Sequence, residues 1–88
     1  MKIPFMKAQG AGNDFIIVDK NVDFIRKSKK VIKRLCDRRF GVGCDQLILI
    51  KKISSYYQVT FYNSDGSLGK NCGNGLRCAY KFLVEVKK

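Results

Sequence analysis

At 88 residues the chain has room for one small domain with a modest core. A hydrophobic share of 45%, with six Phe and four Tyr, excludes a disordered tail, and no apolar run reaches the length of a membrane span. The net charge of +11 suits an acidic partner, but no nucleic-acid fold signature accompanies it.

Ile3 to Gln9 reads as a first strand, with Pro4 suited to its start. Gly10-Ala11-Gly12-Asn13-Asp14 is turn chemistry. As a phosphate loop it lacks the third glycine and the helix that should follow. Phe15-Ile16-Ile17-Val18 is an apolar strand, and Asn21 to Lys27 a loop or short helical turn. Ser28 is placed to cap a helix predicted to run to about Arg39, with Val31, Ile32, Leu35 and Cys36 on its inner face. Phe40-Gly41-Val42-Gly43 stops that helix. Leu47-Ile48-Leu49-Ile50 is a strand, Lys51 to Tyr56 a turn region, and Tyr57, Val59, Phe61 and Asn63 alternate along a further strand. Asn63-Ser64-Asp65-Gly66 is a turn. The spacing of Leu76, Ala79, Tyr80 and Leu83 predicts a last helix from Leu76 to about Val86. The order ββαββα predicts one α+β unit over residues 1–88, antiparallel strands wrapped around a central helix. Such a sheet, with no strands after Lys88, leaves its edges and one helix face uncovered, as an incomplete half of a larger fold would.

The basic excess concentrates in Arg26, Lys27, Lys29, Lys30, Lys33, Arg34, Arg38 and Arg39. This stripe reads equally as the solvated face of an amphipathic helix. Met1-Lys2-Ile3-Pro4-Phe5 carries no signal-peptide core, so the expected location is cytoplasmic, with no membrane partner. The four cysteines, 36, 44, 72 and 78, lack zinc-ligand spacing and there is no His, so reduced thiols and no metal are expected.

The chemistry concentrates in Asn71-Cys72-Gly73-Asn74-Gly75. The strand pattern before it and the helical pattern after it set Cys72 at a helix N-terminus, where free N–H groups favour an anion and lower a thiol pKa. Asn74 is placed to cap that helix. A small buried hydrophobe in a simple turn is the competing reading, and the residues alone leave both open.

Four segments together resemble the diaminopimelate epimerase family. They are Lys7 to Phe15 (KAQGAGNDF), Arg38 to Gln46 (RRFGVGCDQ), Tyr62 to Ser67 (YNSDGS) and Asn71 to Cys78 (NCGNGLRC), in the family's order and at its spacings. Asn74 separates the chain from the related proline racemases, which carry histidine there. The resemblance implies a cofactor-independent, two-base epimerase that interconverts LL- and meso-diaminopimelate in lysine and peptidoglycan biosynthesis. It also implies an architecture of two pseudo-symmetric halves, each a strand-rich barrel round a central helix, with the substrate between them. By that resemblance Cys72 is one of two catalytic cysteines, and Asn13, Gln46, Asn63, Gly73 and Asn74 hold the substrate's amino and carboxylate groups.

The family's chains continue well beyond this one, and their second cysteine lies in the further half. Cys78 shares an element with Cys72 and cannot oppose it across a substrate; Cys36 reads as core. Cys44 stands where other members carry an apolar residue, and Leu68 where an acid is common. Three readings follow: a fragment of an epimerase with little activity alone, half of a split enzyme or homo-oligomer completed by another chain, or an inactive remnant serving as a basic binding module.

Overall fold

A computed structural model of the chain describes residues 3–10, 12–70 and 73–85, with backbone only at Asn74. Seven elements follow in order: β1 (Met6–Gly10), β2 (Asn13–Val18), α1 (Val22–Arg26), α2 (Lys29–Cys36), β3 (Gln46–Ile53), β4 (Tyr56–Asn63) and α3 (Gly73–Glu85). The strands form one sheet in the order β1-β2-β3-β4. β1 pairs antiparallel with β2, and β3 with β4, but β2 and β3 run parallel. The expectation of an antiparallel sheet is therefore corrected to a mixed one. Two parallel neighbours need a crossover of a dozen or more residues, and the segment carrying α1 and α2 supplies it.

Strand alternation divides the core in two. Phe15 and Ile17 of β2, Ile48 and Ile50 of β3, and Phe61 of β4 turn to one face, where they meet Cys78, Ala79 and Phe82 of α3. Ile16, Val18, Leu47 and Leu49 turn to the other, where Ile25 of α1 and Ile32 and Cys36 of α2 cover them. The central strands are thus covered on both faces, which is why Phe15-Ile16-Ile17-Val18 and Leu47-Ile48-Leu49-Ile50 are apolar without interruption. Helices lie on both faces of the sheet, so in this part of the fold the strands do not wrap around one central helix.

Several boundaries differ from expectation for local reasons. β1 begins at Met6, three residues later than predicted, and α2 ends at Cys36, not Arg39. Asp37 stops it, because its Oδ1 accepts the N–H groups of Arg39 (2.8 Å) and Phe40 (2.9 Å) and turns the chain out of the helix. Lys51 to Tyr56 is mostly strand: Ile53 pairs with Tyr56 across a two-residue turn in which Ser54 takes φ 56°. α3 already includes Gly73 and Asn74, so Asn74 lies inside the helix and is not its cap.

Ser28 is the N-cap of α2, its Oγ accepting the Val31 N–H at 3.2 Å. Ser28→Ala is expected to cost about 1 kcal/mol in urea unfolding, the usual worth of such a cap. A change within a few tenths would mean that the crossover holds α2 without it.

α3 carries a second apolar stripe outside its packed face, next to a charged stripe of Arg77, Lys81 and Glu85. Gly75, Cys78, Ala79 and Phe82 face the sheet, while Leu76, Tyr80 and Val84, four residues apart, are 45%, 70% and 43% exposed. Of the residues expected to form its apolar face, Ala79 alone is buried and Leu83 partly so.

Candidate active site

Asn13 begins β2, Gln46 begins β3 and Asn63 ends β4. Since β2 and β3 are parallel and β4 antiparallel to β3, these three positions fall at one end of the sheet. Each has the parity of the residues that meet α3: Asn13 with Phe15 and Ile17, Gln46 with Ile48 and Ile50, Asn63 with Phe61. The three amides therefore share the α3 side. The first turn of α3 lies close by, for a Cβ at Gly75 would run into the Phe61 ring and come within 3.3 Å of the Phe15 ring.

Gln46 and Asn63 are cross-strand partners, and Gln46 Nε2 donates to Asn63 Oδ1 at 3.4 Å. Asn63 Nδ2 donates to Ser67 Oγ at 3.1 Å, so the Asn63 side chain is held at both ends. The segment after β4 folds back over this pair: Asn63 N–H donates to Ser67 O at 2.8 Å and Gly69 N–H to Phe61 O at 2.7 Å. A Cβ at Gly69 would sit 2.9 Å from Gln46 Nε2 and 3.0 Å from Asn63 Oδ1, so the absent side chain lets the backbone close over the amides. Gly73 contributes backbone at the start of α3, whose leading N–H groups lack partners within the helix. Cys72 lies outside the described residues, as does the side chain of Asn74.

An ion cluster at the same end escaped the sequence reading. Asp14 and Asp45, each beside a candidate substrate contact, bind one another's backbone: Asp45 N–H donates to Asp14 Oδ1 at 2.9 Å, and Asp14 N–H to Asp45 Oδ2 at 3.0 Å. Arg38 reaches both Asp14 carboxylate oxygens, at 2.7 and 2.9 Å, and Asp45 Oδ1 at 3.1 Å. Lys7 adds a contact to Asp14 Oδ2 at 2.9 Å and donates to the Gly43 carbonyl. The Arg38 guanidinium, with help from Lys7 and the Asp45 N–H, holds the Asp14 carboxyl far below the usual carboxylate range. This clamp ties the starts of β2 and β3 together. Arg34 Nε also donates inward, to Phe40 O at 2.8 Å, so part of the basic stripe is engaged within the fold.

The remaining described cysteines are core. Cys36, Cys44 and Cys78 are buried and outside any disulfide. Cys44 is 2% exposed against Cys36 on the α1–α2 side of the sheet, away from the amides, so it too cannot oppose Cys72 across a substrate. Two cavities lined by described residues lie away from these amides. One of about 610 Å³ runs along α2 beside Ile3, and one of about 260 Å³ lies between β1 and the second half of α3.

The whole of this site falls inside a region that matches one known family. The family profile described as diaminopimelate epimerase matches residues 5–88. The chain belongs to the diaminopimelate epimerase family. It is 45% identical over 86 residues to a diaminopimelate epimerase of Leptospira biflexa, covering 97% of this chain and 31% of that protein. It is 48% identical over 84 residues to one of Pelagibacter ubique, covering 94% of this chain and 30% of the relative. A third, from Alkalilimnicola ehrlichii, is 41% identical over 86 residues, covering 94% and 31%. The chain thus spans less than a third of the length of these diaminopimelate epimerases.

Proposed function

We propose that these residues form one half of a diaminopimelate epimerase active site, with Cys72 as one of its two bases. The observation that supports this best is the convergence of Asn13, Gln46 and Asn63 on the α3 side of one sheet end, beside the first turn of α3. Three neutral amides can bind an ammonium and a carboxylate without quenching a nearby thiolate. The leading N–H groups of α3, from Gly73 and Asn74 onward, supply donors where negative charge develops.

In this reading the Cys72 thiolate removes the α-proton, breaking C–H and forming S–H, while charge passes onto the carboxylate held by the N–H groups. A thiol opposite it returns a proton to the other face, inverting LL- to meso-diaminopimelate without a cofactor. That second thiol comes from polypeptide beyond these 88 residues. The outward Leu76, Tyr80 and Val84 support the same reading, since a second apolar stripe on a helix already packed on one face is a surface that a further element covers. In the complete fold α3 then becomes the central helix of a barrel.

The test is wash-in of deuterium at the α-carbon of diaminopimelate in heavy water. The chain alone is expected to exchange nothing, for want of the opposite wall. Mixed with the remaining two thirds of the Leptospira biflexa relative, it is expected to exchange and to invert. Cys72→Ser is expected to abolish both, by at least about 10³-fold, as loss of a catalytic base or nucleophile does. Undiminished turnover by the Cys72→Ser mixture would sink the assignment.

A further inference from the structure

Cys36 and Cys44 take no part in that chemistry, yet they are arranged with respect to one another. Cys36 closes α2, Cys44 lies just before β3, and both are 2% exposed among Ile16, Ile32 and Leu47. Cys44 Sγ donates to Cys36 Sγ at 3.4 Å, and the Cys44 N–H donates to the Cys36 carbonyl at 3.1 Å. At 3.4 Å the two sulfurs need close by little more than an ångström to reach the bonded S–S separation of about 2.05 Å. Cys78, the other buried thiol described, lies on the far side of the sheet.

We infer that Cys36 and Cys44 are a redox pair, a dithiol that a small hydroperoxide converts into an intramolecular disulfide. Cys36 is the attacking sulfur. The S–H donated by Cys44 favours its thiolate, while burial and that same donation keep the proton on Cys44. Cys36 gives up its proton, its thiolate attacks an oxygen of hydrogen peroxide, the O–O bond breaks, and the departing hydroxide takes up that proton and leaves as water, giving a sulfenic acid. Cys44 Sγ then attacks the Cys36 sulfur; S–S forms, S–O breaks, and a second water carries off the Cys44 proton. The two sulfurs together lose two electrons, which the peroxide gains. Burial selects the oxidant by size, since at 2% exposure neither sulfur can be reached by a tripeptide disulfide. The product closes a loop over residues 37–43 and staples the end of α2, beside Arg38, to the segment that carries Asp45.

The inference stands independently of the epimerase reading, and peptide mapping tests it. Folded chain is treated with hydrogen peroxide, then alkylated in denaturant and digested without reductant. The expected result is one cross-linked peptide joining Cys36 to Cys44, lighter by two hydrogens, with both residues lost together from the alkylatable pool and recovered by dithiothreitol. Oxidised glutathione at the same concentration is expected to act at least tenfold more slowly. In Cys44→Ser the reaction is expected to stop at a Cys36 sulfenic acid, which dimedone traps when added with the denaturant. Retention of both thiols after peroxide, or a Cys36–Cys44 link that forms only in the denatured chain, overturns it.

Discussion

Gly75→Ala is expected to destabilise the fold by about 1–3 kcal/mol, although glycine-to-alanine inside a helix ordinarily gains about 1 kcal/mol. The added methyl would run into the Phe61 ring and sit 3.3 Å from Phe15. Neither ring can yield: Phe15 is fully buried, and Phe61 of β4 is 2% exposed within the core that α3 covers. α3 must lift at its first turn instead, which carries its leading N–H groups away from Gln46 and Asn63. Urea midpoints check this, and Phe61→Leu gives the discriminating comparison. Alone it removes buried ring contacts, but in the double variant it makes room for the methyl. The two changes should therefore cost less together than their sum, by about 0.5–3 kcal/mol of coupling. A stabilised Gly75→Ala protein would mean that α3 does not approach the sheet so closely.

Asp14→Asn is the second large effect, expected to cost about 1–3 kcal/mol at neutral pH, as charge-assisted bonds from Arg38, Lys7 and the Asp45 N–H are weakened together. Arg38 and Lys7 reach solvent, which holds the cost below that of a fully buried pair. The pH dependence follows from the direction of the shift. The folded-state pKa is depressed, so the stabilisation is present above the unfolded carboxyl value of about 3.9 and is lost as pH falls toward the folded value. Asp37, held down by the Phe40 and Arg39 N–H groups, and Asp65, held down by Ser67, add to the same acid-side loss. The native protein should therefore lose stability steeply between about pH 4 and 2, while Asp14→Asn loses less, and the two curves should converge there. Parallel curves across that range would show that the clamp carries no ionic stabilisation.

What the sequence disclosed and what it withheld follow from the reach of each signal. Uninterrupted apolar runs marked the central strands, because burial on both faces removes every polar residue from them. The direction in which those strands pair leaves no mark on periodicity, and so the parallel β2–β3 junction emerged only in three dimensions. The end of α2 was placed three residues late, since a side chain that takes backbone N–H groups ends a helix as firmly as a glycine does. At the site, Gln46 and Asn63 were named through the family resemblance, and their meeting depends on a strand register that no local pattern encodes. Arg38 was indistinguishable from Arg39 in a basic stripe. Its role depends on Asp14, which is 24 residues away in sequence and was read as an ordinary turn residue. Tyr80 shows the opposite failure, for helical spacing identified it as apolar-face and the structure turns it outward.

The parallel junction between β2 and β3 also sets an order of events when the chain first folds. β3 and β4 close over two residues, and β1 and β2 pair through neighbouring positions, so each hairpin needs little loop entropy and forms on the microsecond scale. Joining the hairpins is different, because Ile16 meets Leu47 only after the whole crossover has been gathered in. The slow step is the docking of two preformed ribbons, with α1 and α2 condensing between them. Substitutions at that seam, and within the hairpins that form before it, should slow folding, whereas those that touch only contacts made after docking should mainly hasten unfolding.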